Sequence, residues 1–345
     1  MKNYFLIVFL TVAFWSCKKD RPKTIETFDT DELTIAFGSC NNQFAENNLW
    51  DDVLAQHPQV WIWGGDVIYS DTDDSDKMAH DYQVQLSQKE YQTLQSQVKI
   101  MGTWDDHDYG LNDGGEEYTM KEKSQELFLD FLDVPDNDIR RDREGVYYSK
   151  VLQTKSGSVK VMVLDTRYFR TALTPSTIEG KRYEPNTYGD GTILGDTQWQ
   201  WLEQALKASQ SDFNIIVSSI QVLSNKHGFE TWGNFPHEVD RLEKLLVQYK
   251  PKNVIVLSGD RHISEFSKGT IPGLDYPLID FTSSGLTHSY SDFSGEDNPY
   301  RIGTVVFDKS FGVLKFNFKT QTVLMEMRGD NNTLQQKIRL SYKDL

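Results

Sequence analysis

Five times along this chain a short apolar run stops in a turn that is polar, rich in glycine or built from side chains able to bind a metal. Residues 33–37 lead into Gly38-Ser39-Cys40, and residues 60–63 into Gly64-Gly65-Asp66. Residues 98–101 lead into Gly102-Thr103-Trp104-Asp105-Asp106-His107-Asp108. Residues 215–217 lead into Ser218-Ser219-Ile220-Gln221, and residues 254–257 into Ser258-Gly259-Asp260-Arg261-His262. Such runs, bounded by turn residues, read as buried strands. In open α/β sheets the carboxyl ends of the strands form the binding crevice, so the chain sets its reactive side chains along one edge.

Amphipathic stretches separate the runs, the pattern of a layered α/β domain. Residues 120–132 carry Leu127, Phe128, Phe131 and Leu132 on one face. Residues 196–208 place Trp199, Leu202 and Leu206 at helical spacing, with Asp196 or Thr197 as the expected N-cap. Residues 236–249 begin with Pro at the first turn and bury Val239, Leu242, Leu245 and Leu246. Residues 159–164 form a further strand before Asp165-Thr166-Arg167. From residue 278 onward the texture changes to strands joined by turns, at 304–307, 312–318, 322–327 and 337–340, which are expected to complete a second sheet. No linker composition interrupts the chain, and one large domain over residues 32–345 is expected.

The aromatic supply of 19 Phe, 16 Tyr and 8 Trp can fill a large core, which excludes wholesale disorder. The net charge is −15, so the chain offers no basic footprint for a nucleic-acid backbone, and no nucleic-acid partner is expected.

The N-terminus reads as an address. Lys2 precedes twelve residues without charge, 4–15, too short to span a bilayer comfortably, and Ser16-Cys17 is followed by Lys18-Lys19-Asp20. Residues 1–16 resemble a bacterial lipoprotein signal, with Cys17 lipidated and residues 17–31 a polar tether. The alternative is an ordinary secretory signal cut nearby. Either implies export, and the first a membrane-anchored lipoprotein, periplasmic or at the cell surface. Cys40 is then a lone thiol where disulfides are favoured, either a buried small hydrophobe or a metal-bound thiolate.

The strand-end turns together offer Cys40, Asp66, Tyr69, Asp105, Asp106, His107, Asp108, Asp260 and His262. Oxygen donors, a phenolate, a thiolate and an imidazole suit an oxidised iron-like ion beside a harder cation such as Ca²⁺ or Mg²⁺. Two cations at ~3.5–4 Å need a bridging carboxylate and neutralising ligands on both sides. Asp71-Thr72-Asp73-Asp74-Ser75-Asp76 is read as a solvated acidic loop, with an extra Ca²⁺ site as the alternative.

In order, Phe37-Gly38-Ser39-Cys40, Gly65-Asp66-Val67-Ile68-Tyr69, Trp104-Asp105-Asp106-His107-Asp108, Leu164-Asp165-Thr166-Arg167-Tyr168-Phe169-Arg170, Ser218-Ser219-Ile220-Gln221, Thr231-Trp232-Gly233-Asn234-Phe235-Pro236 with Arg241, and Gly259-Asp260-Arg261-His262 resemble the alkaline phosphatase D family of calcineurin-like metallophosphoesterases. The resemblance implies an α/β fold, a four-layer αββα sandwich of two mixed sheets flanked by helices. It implies Cys40, Asp66, Tyr69, Asp105, Asp106, Asp260 and His262 as metal ligands, with Asp66 bridging, Tyr69 and His262 on a ferric ion, and Asp260 facing the second cation. Fe³⁺ with one or two Ca²⁺, or other divalent metals, would be the cofactors. His107 and Asp108 match the acid and its orienter.

The expected chemistry is hydrolysis of phosphate esters, mono- or diesters, including lipid headgroups. Hydroxide made available by the cations attacks phosphorus in line, and His107 protonates the leaving alkoxide. Arg167, His227 and Trp232 are the candidates for holding the ester, each with a structural alternative: an ion pair for Arg167, the core for Trp232. The competing function is a lipid-anchored, Ca²⁺-dependent glycan-binding protein without turnover. It explains the tether, acidity and Trp content, but not a histidine set between Asp106 and Asp108.

Overall fold

A computed structural model describes residues 24–342. The export signal, Cys17 and the tether up to residue 23 lie outside the described residues. Sixteen strands run through them: β1 (Ile25–Thr27), β2 (Glu32–Gly38), β3 (Val60–Gly64), β4 (Lys99–Thr103), β5 (Tyr148–Gln153), β6 (Ser158–Val163), β7 (Thr174–Pro175) and β8 (Tyr183–Glu184). There follow β9 (Phe213–Val217), β10 (Val254–Ser258), β11 (Ser264–Gly269), β12 (Leu278–Ser283), β13 (Arg301–Val306), β14 (Phe311–Asn317), β15 (Thr322–Gly329) and β16 (Thr333–Ser341). The helices are α1 (Trp50–Leu54), α2 (Ser75–Ser87), α3 (Lys89–Gln97), α4 (Asp106–Tyr109), α5 (Lys121–Phe131), α6 (Gly195–Lys207) and α7 (Pro236–Tyr249).

Two mixed sheets stack face to face. One has the order β1-β5-β6-β9-β10-β12-β11-β13, the other β16-β15-β14-β2-β3-β4, and β7-β8 is a separate hairpin. The runs of continuous apolar residues are explained by burial on both faces. Successive side chains of a strand point to opposite sides. In β3, Val60 and Ile62 therefore enter the core between the sheets, while Trp61 and Trp63 pack under the helices outside. In β10, Ile255 and Leu257 face inward, and Val254 and Val256 face α6 and α7. Helices α1, α2, α3 and α5 cover one sheet, and α6 and α7 the other, giving the four-layer αββα sandwich. Each fully buried aliphatic or aromatic side chain contributes roughly 1.5–3 kcal/mol.

Two local expectations are corrected. Helix α6 starts one residue before Asp196, with Leu194 at the N-cap and no side-chain cap, because the Asp196 and Thr197 side chains already lie in its first turn. The C-terminal strands do not all join one sheet. β14, β15 and β16 extend the sheet of β2, but β13 pairs antiparallel with β11 in the other.

The parallel strands fix the working edge. β2, β3 and β4 run parallel, as do β6, β9, β10 and β12, and their C-terminal turns meet at one end of the sandwich. Backbone hydrogen bonds stitch these turns together: Asn41 N–H to Asp66 O (2.9 Å), Gly259 N–H to Ser219 O (2.9 Å) and Leu286 N–H to Ser39 O (3.1 Å). The approach is close enough that a Cβ on Gly259 would meet Ser39 Oγ at 2.5 Å.

Candidate metal centre

Cys40 lies two residues beyond β2, and its Sγ is 3.3 Å from Asp66 Oδ2 and 3.0 Å from Ser284 Oγ. The Tyr69 hydroxyl donates to the same Asp66 oxygen at 3.3 Å and lies 3.0 Å from His262 Nε2. The ligand atoms of Cys40, Asp66 and His262 fall within 4.8 Å of one another. So do those of Asp66, Asp106 and His107, and those of Asp105, Asp106 and Asp260. Asp66 belongs to the first two groups and Asp106 to the last two, so the three form one continuous patch.

The backbone is strained where the donors converge. Cys40 (φ 59°), Asp66 (φ 49°), Asp260 (φ 68°) and His262 (φ 54°) all occupy the left-handed region. For residues with a Cβ this costs about 1–3 kcal/mol each and persists where the surroundings over-determine it. The strain turns each side chain back into the cleft at the strand end.

The charges demand a cation. Burial, with Cys40 beside it, holds the Asp66 carboxyl well above the usual range, and burial pushes the Cys40 thiol up to about 11. Burial and the Asp106 charge raise Asp260 to about 7. Burial also raises the Tyr69 phenol and lowers the His262 imidazole. Asp66 Oδ1 and Asp105 Oδ2 are buried carboxylate oxygens with no hydrogen-bond partner among the described residues. Unmet lone pairs next to a thiol, a phenol and an imidazole are the donor set of a metal site, and a bound cation inverts these pKa shifts. The residues present fit a pair of metal ions.

His107 is the second residue of α4, and the carboxylate on its imidazole is not the expected one. Asp108 does not orient it. The Asp108 carboxylate is folded back on the turn, accepting from Asp105 N–H at 2.6 Å and Val67 N–H at 3.1 Å. The orienting carboxylate is Asp71, whose two oxygens lie 2.8 Å from His107 Nδ1. The Ser70 and Asp71 N–H groups also donate to the His107 carbonyl, and the Tyr69 ring packs against the imidazole at 4.1 Å between centroids. Burial works against the imidazolium, but Asp71, Asp66 and Asp106 overcome it and raise His107 to about 10. The acidic loop is thus only partly solvated, since Asp74 also caps α2 through the Asp76 and Lys77 N–H groups. His288 borders the site, its ring 4.6 Å from that of His262.

The three expected ester-holding residues are not brought to the open cleft. Arg167 is wholly buried in ion pairs with Asp105 and Glu230, so it positions a candidate ligand rather than meeting solvent. Trp232 is wholly buried, its indole N–H donating to Ser218 Oγ at 3.0 Å. His227 is buried below the loop surface, with Phe229 N–H donating to its Nδ1 at 3.1 Å. Ser219, which donates to Asp105 at 2.6 Å, and Glu230 were not separable from ordinary loop residues in the sequence. Asp71 was equally hidden, being one carboxylate among four.

Residues 35–270 match the PhoD-like phosphatase family. Alkaline phosphatase D of Bacillus subtilis (strain 168) is 25% identical over 140 residues, covering 36% of this chain and 24% of that protein's length. Among solved structures, one described as the structure of PhoD superposes with a TM-score of 0.72 at 17% identity, covering 91% of this chain and 70% of the other. A dimetal phosphatase from Danio rerio superposes with a TM-score of 0.53 at 13% identity, covering 90% and 99%. At these identities the structural likeness speaks for the fold, and it is the match across two-thirds of the residues, in a chain whose strand ends gather one patch of metal-binding side chains, that makes this protein a member of the PhoD-like phosphatase family.

Proposed function

We propose that the protein is an exported, metal-dependent phosphoric ester hydrolase acting on phosphodiesters, phosphomonoesters or both. The observation that carries this reading is the sharing of Asp66 and Asp106 among three donor groups, which gives two adjacent cation positions with a common carboxylate. Cys40, Asp66, Tyr69 and His262 would hold Fe³⁺, and Asp66, Asp105, Asp106 and Asp260 a harder ion such as Ca²⁺. When bound, such a pair supplies Lewis acidity that acidifies water and neutralises phosphoryl charge. The residues of the chain do the rest. Asp71 clamps His107 Nδ1, which leaves Nε2 free to deliver a proton to the departing alkoxide. Arg167 holds Asp105 in place from behind. Cys17 would carry the lipid that anchors the domain to a membrane, a role supported by the signal-like residues 1–16.

Metal analysis of the purified protein, paired with a monoester and diester screen, tests the reading. Turnover with bound iron and a visible charge-transfer band is expected, and Cys40→Ala should lose iron, colour and activity together. A colourless active enzyme removes iron; a calcium-only protein that binds sugars without turnover removes the esterase. Cys17→Ala should release the protein from membranes, and retention would remove the anchor.

A further inference from the structure

Three arginines run outward from the metal centre. Arg167 is wholly buried against Asp105 and Glu230. Arg170 is buried against Glu230 and reaches the Asp113 carbonyl. Arg182 pairs with the Asp113 carboxylate at 2.7 Å, with 52% of its side chain exposed. Asp113 links the file to the site, because its N–H donates to the Asp106 carboxylate at 2.7 Å. Arg182 therefore stands one residue away from a candidate metal ligand. The inner two guanidinium groups are neutralised by carboxylates. Arg182 commits NH1 to its pair while about half of its side chain stays exposed, and a guanidinium has further donors to offer.

The hairpin that carries it is anchored. The Arg182 and Tyr183 N–H groups both donate to Gly228 O, at 2.8 and 2.9 Å, and the Tyr183 hydroxyl donates to Asp113 at 2.8 Å. The preceding Lys181 lays its stem over Gly228, where a Cβ would meet Lys181 Cγ at 2.6 Å. Next to Gly228 is His227, only 7% exposed. Its Nδ1 accepts from Phe229 N–H, and its ring also bonds the Ser224 backbone, so it fills the loop behind the hairpin. Burial, with the positive charges of Arg261 and Lys181 nearby, keeps this imidazole neutral, so the cations the hairpin presents are Lys181 and Arg182.

We infer that Lys181 and Arg182 form a subsite for a second anionic group on the substrate, so that the preferred phosphate ester carries another negative charge on its alcohol side. This rests on the esterase reading above and adds the substrate class to it. In a chain of net charge −15, cations concentrated beside the cleft draw such an ester in and fix its orientation.

The test uses matched esters differing by one carboxylate: phenyl and 4-carboxyphenyl phosphate, and the 4-nitrophenyl diester of each, with the metal-replete protein. The readout is the ratio of kcat/KM for the carboxylated ester to that for the plain one. The wild type should favour the carboxylated ester by about tenfold, the discrimination of one charge-assisted hydrogen bond. Lys181→Ala with Arg182→Ala should bring the ratio near one, Arg182→Lys should keep part of it, and added salt should lower it. Both positions are on the surface, and unchanged melting confirms the fold of each variant. A wild-type ratio near one, or a ratio that the variants leave intact, overturns the subsite while the esterase stands. If none of the four esters is hydrolysed, the esterase reading falls and the subsite with it.

Discussion

Replacing Asp71 with Asn isolates the group that tunes His107. The two Asp71 oxygens sit 2.8 Å from Nδ1, and with Asp66 and Asp106 they raise the imidazole to about 10 from its ordinary 6.5. A hydrogen bond to a charged group is worth about 1.5–3 kcal/mol, and one pKa unit is about 1.4 kcal/mol. Asn keeps an acceptor but loses the charge, so His107 should fall by roughly 1–2 units. Bound cations lower the starting value in both proteins, so the comparison between them is what counts. The sign follows from the acid role: only protonated His107 can serve the leaving group, so activity is lost as pH rises through its pKa. The alkaline limb of the kcat/KM profile should therefore move to lower pH in Asp71→Asn, and only for esters with poor leaving groups such as alkoxides. Nitrophenolate leaves without a proton and should be slowed little, against roughly 10²-fold for an alkyl ester. Metal content, measured alongside, should hold. An unmoved alkaline limb, or equal slowing for both leaving groups, refutes the pairing. Asp108→Asn, by contrast, should act through stability, because its carboxylate accepts only backbone N–H groups near the site.

Other consequences are open to measurement. Arg167→Met leaves Asp105 buried without its cation and Glu230 with Arg170 alone, which should cost about 3–5 kcal/mol and lower the melting temperature by roughly 4–7 °C; a variant that melts like the wild type would show the pair to be dispensable. For Glu326, burial alone would raise the carboxyl, but hydrogen bonds from Arg328 and Lys315 outweigh it and hold the group below its ordinary 4.5. Its contribution to stability is thus present above the ordinary value and lost as pH falls through the lowered one. Glu326→Gln should flatten the acid side of the stability curve in urea titrations as pH falls below the ordinary 4.5, and a wild-type slope there would count against the pairing.

How far the site could be read in advance divides along the same line as the fold. Each apolar run and its turn was legible, because strand periodicity and turn chemistry are written within a few residues: β2 ends before Cys40, β3 before Asp66, β10 before Asp260. Partner choice is not local. Asp71 and Asp108 are both carboxylates close to His107, one across a loop and one adjacent in sequence. Proximity in sequence favoured Asp108, but as the third residue of α4 it is turned back to satisfy the Asp105 N–H, and the positive φ of Asp71 (43°) swings the other carboxylate onto the imidazole.

By itself, then, the amino-acid order determined that donor-bearing turns follow buried strands, that the core is layered and that a histidine stands among carboxylates. Only the tertiary structure decided that β13 leaves the C-terminal sheet for the other one, that Arg167 spends its charge inside, and that Arg182 keeps its own at the surface. The physical reason is that backbone periodicity acts over one or two residues. Burial and ion pairing depend instead on which distant segments the two stacked sheets bring together.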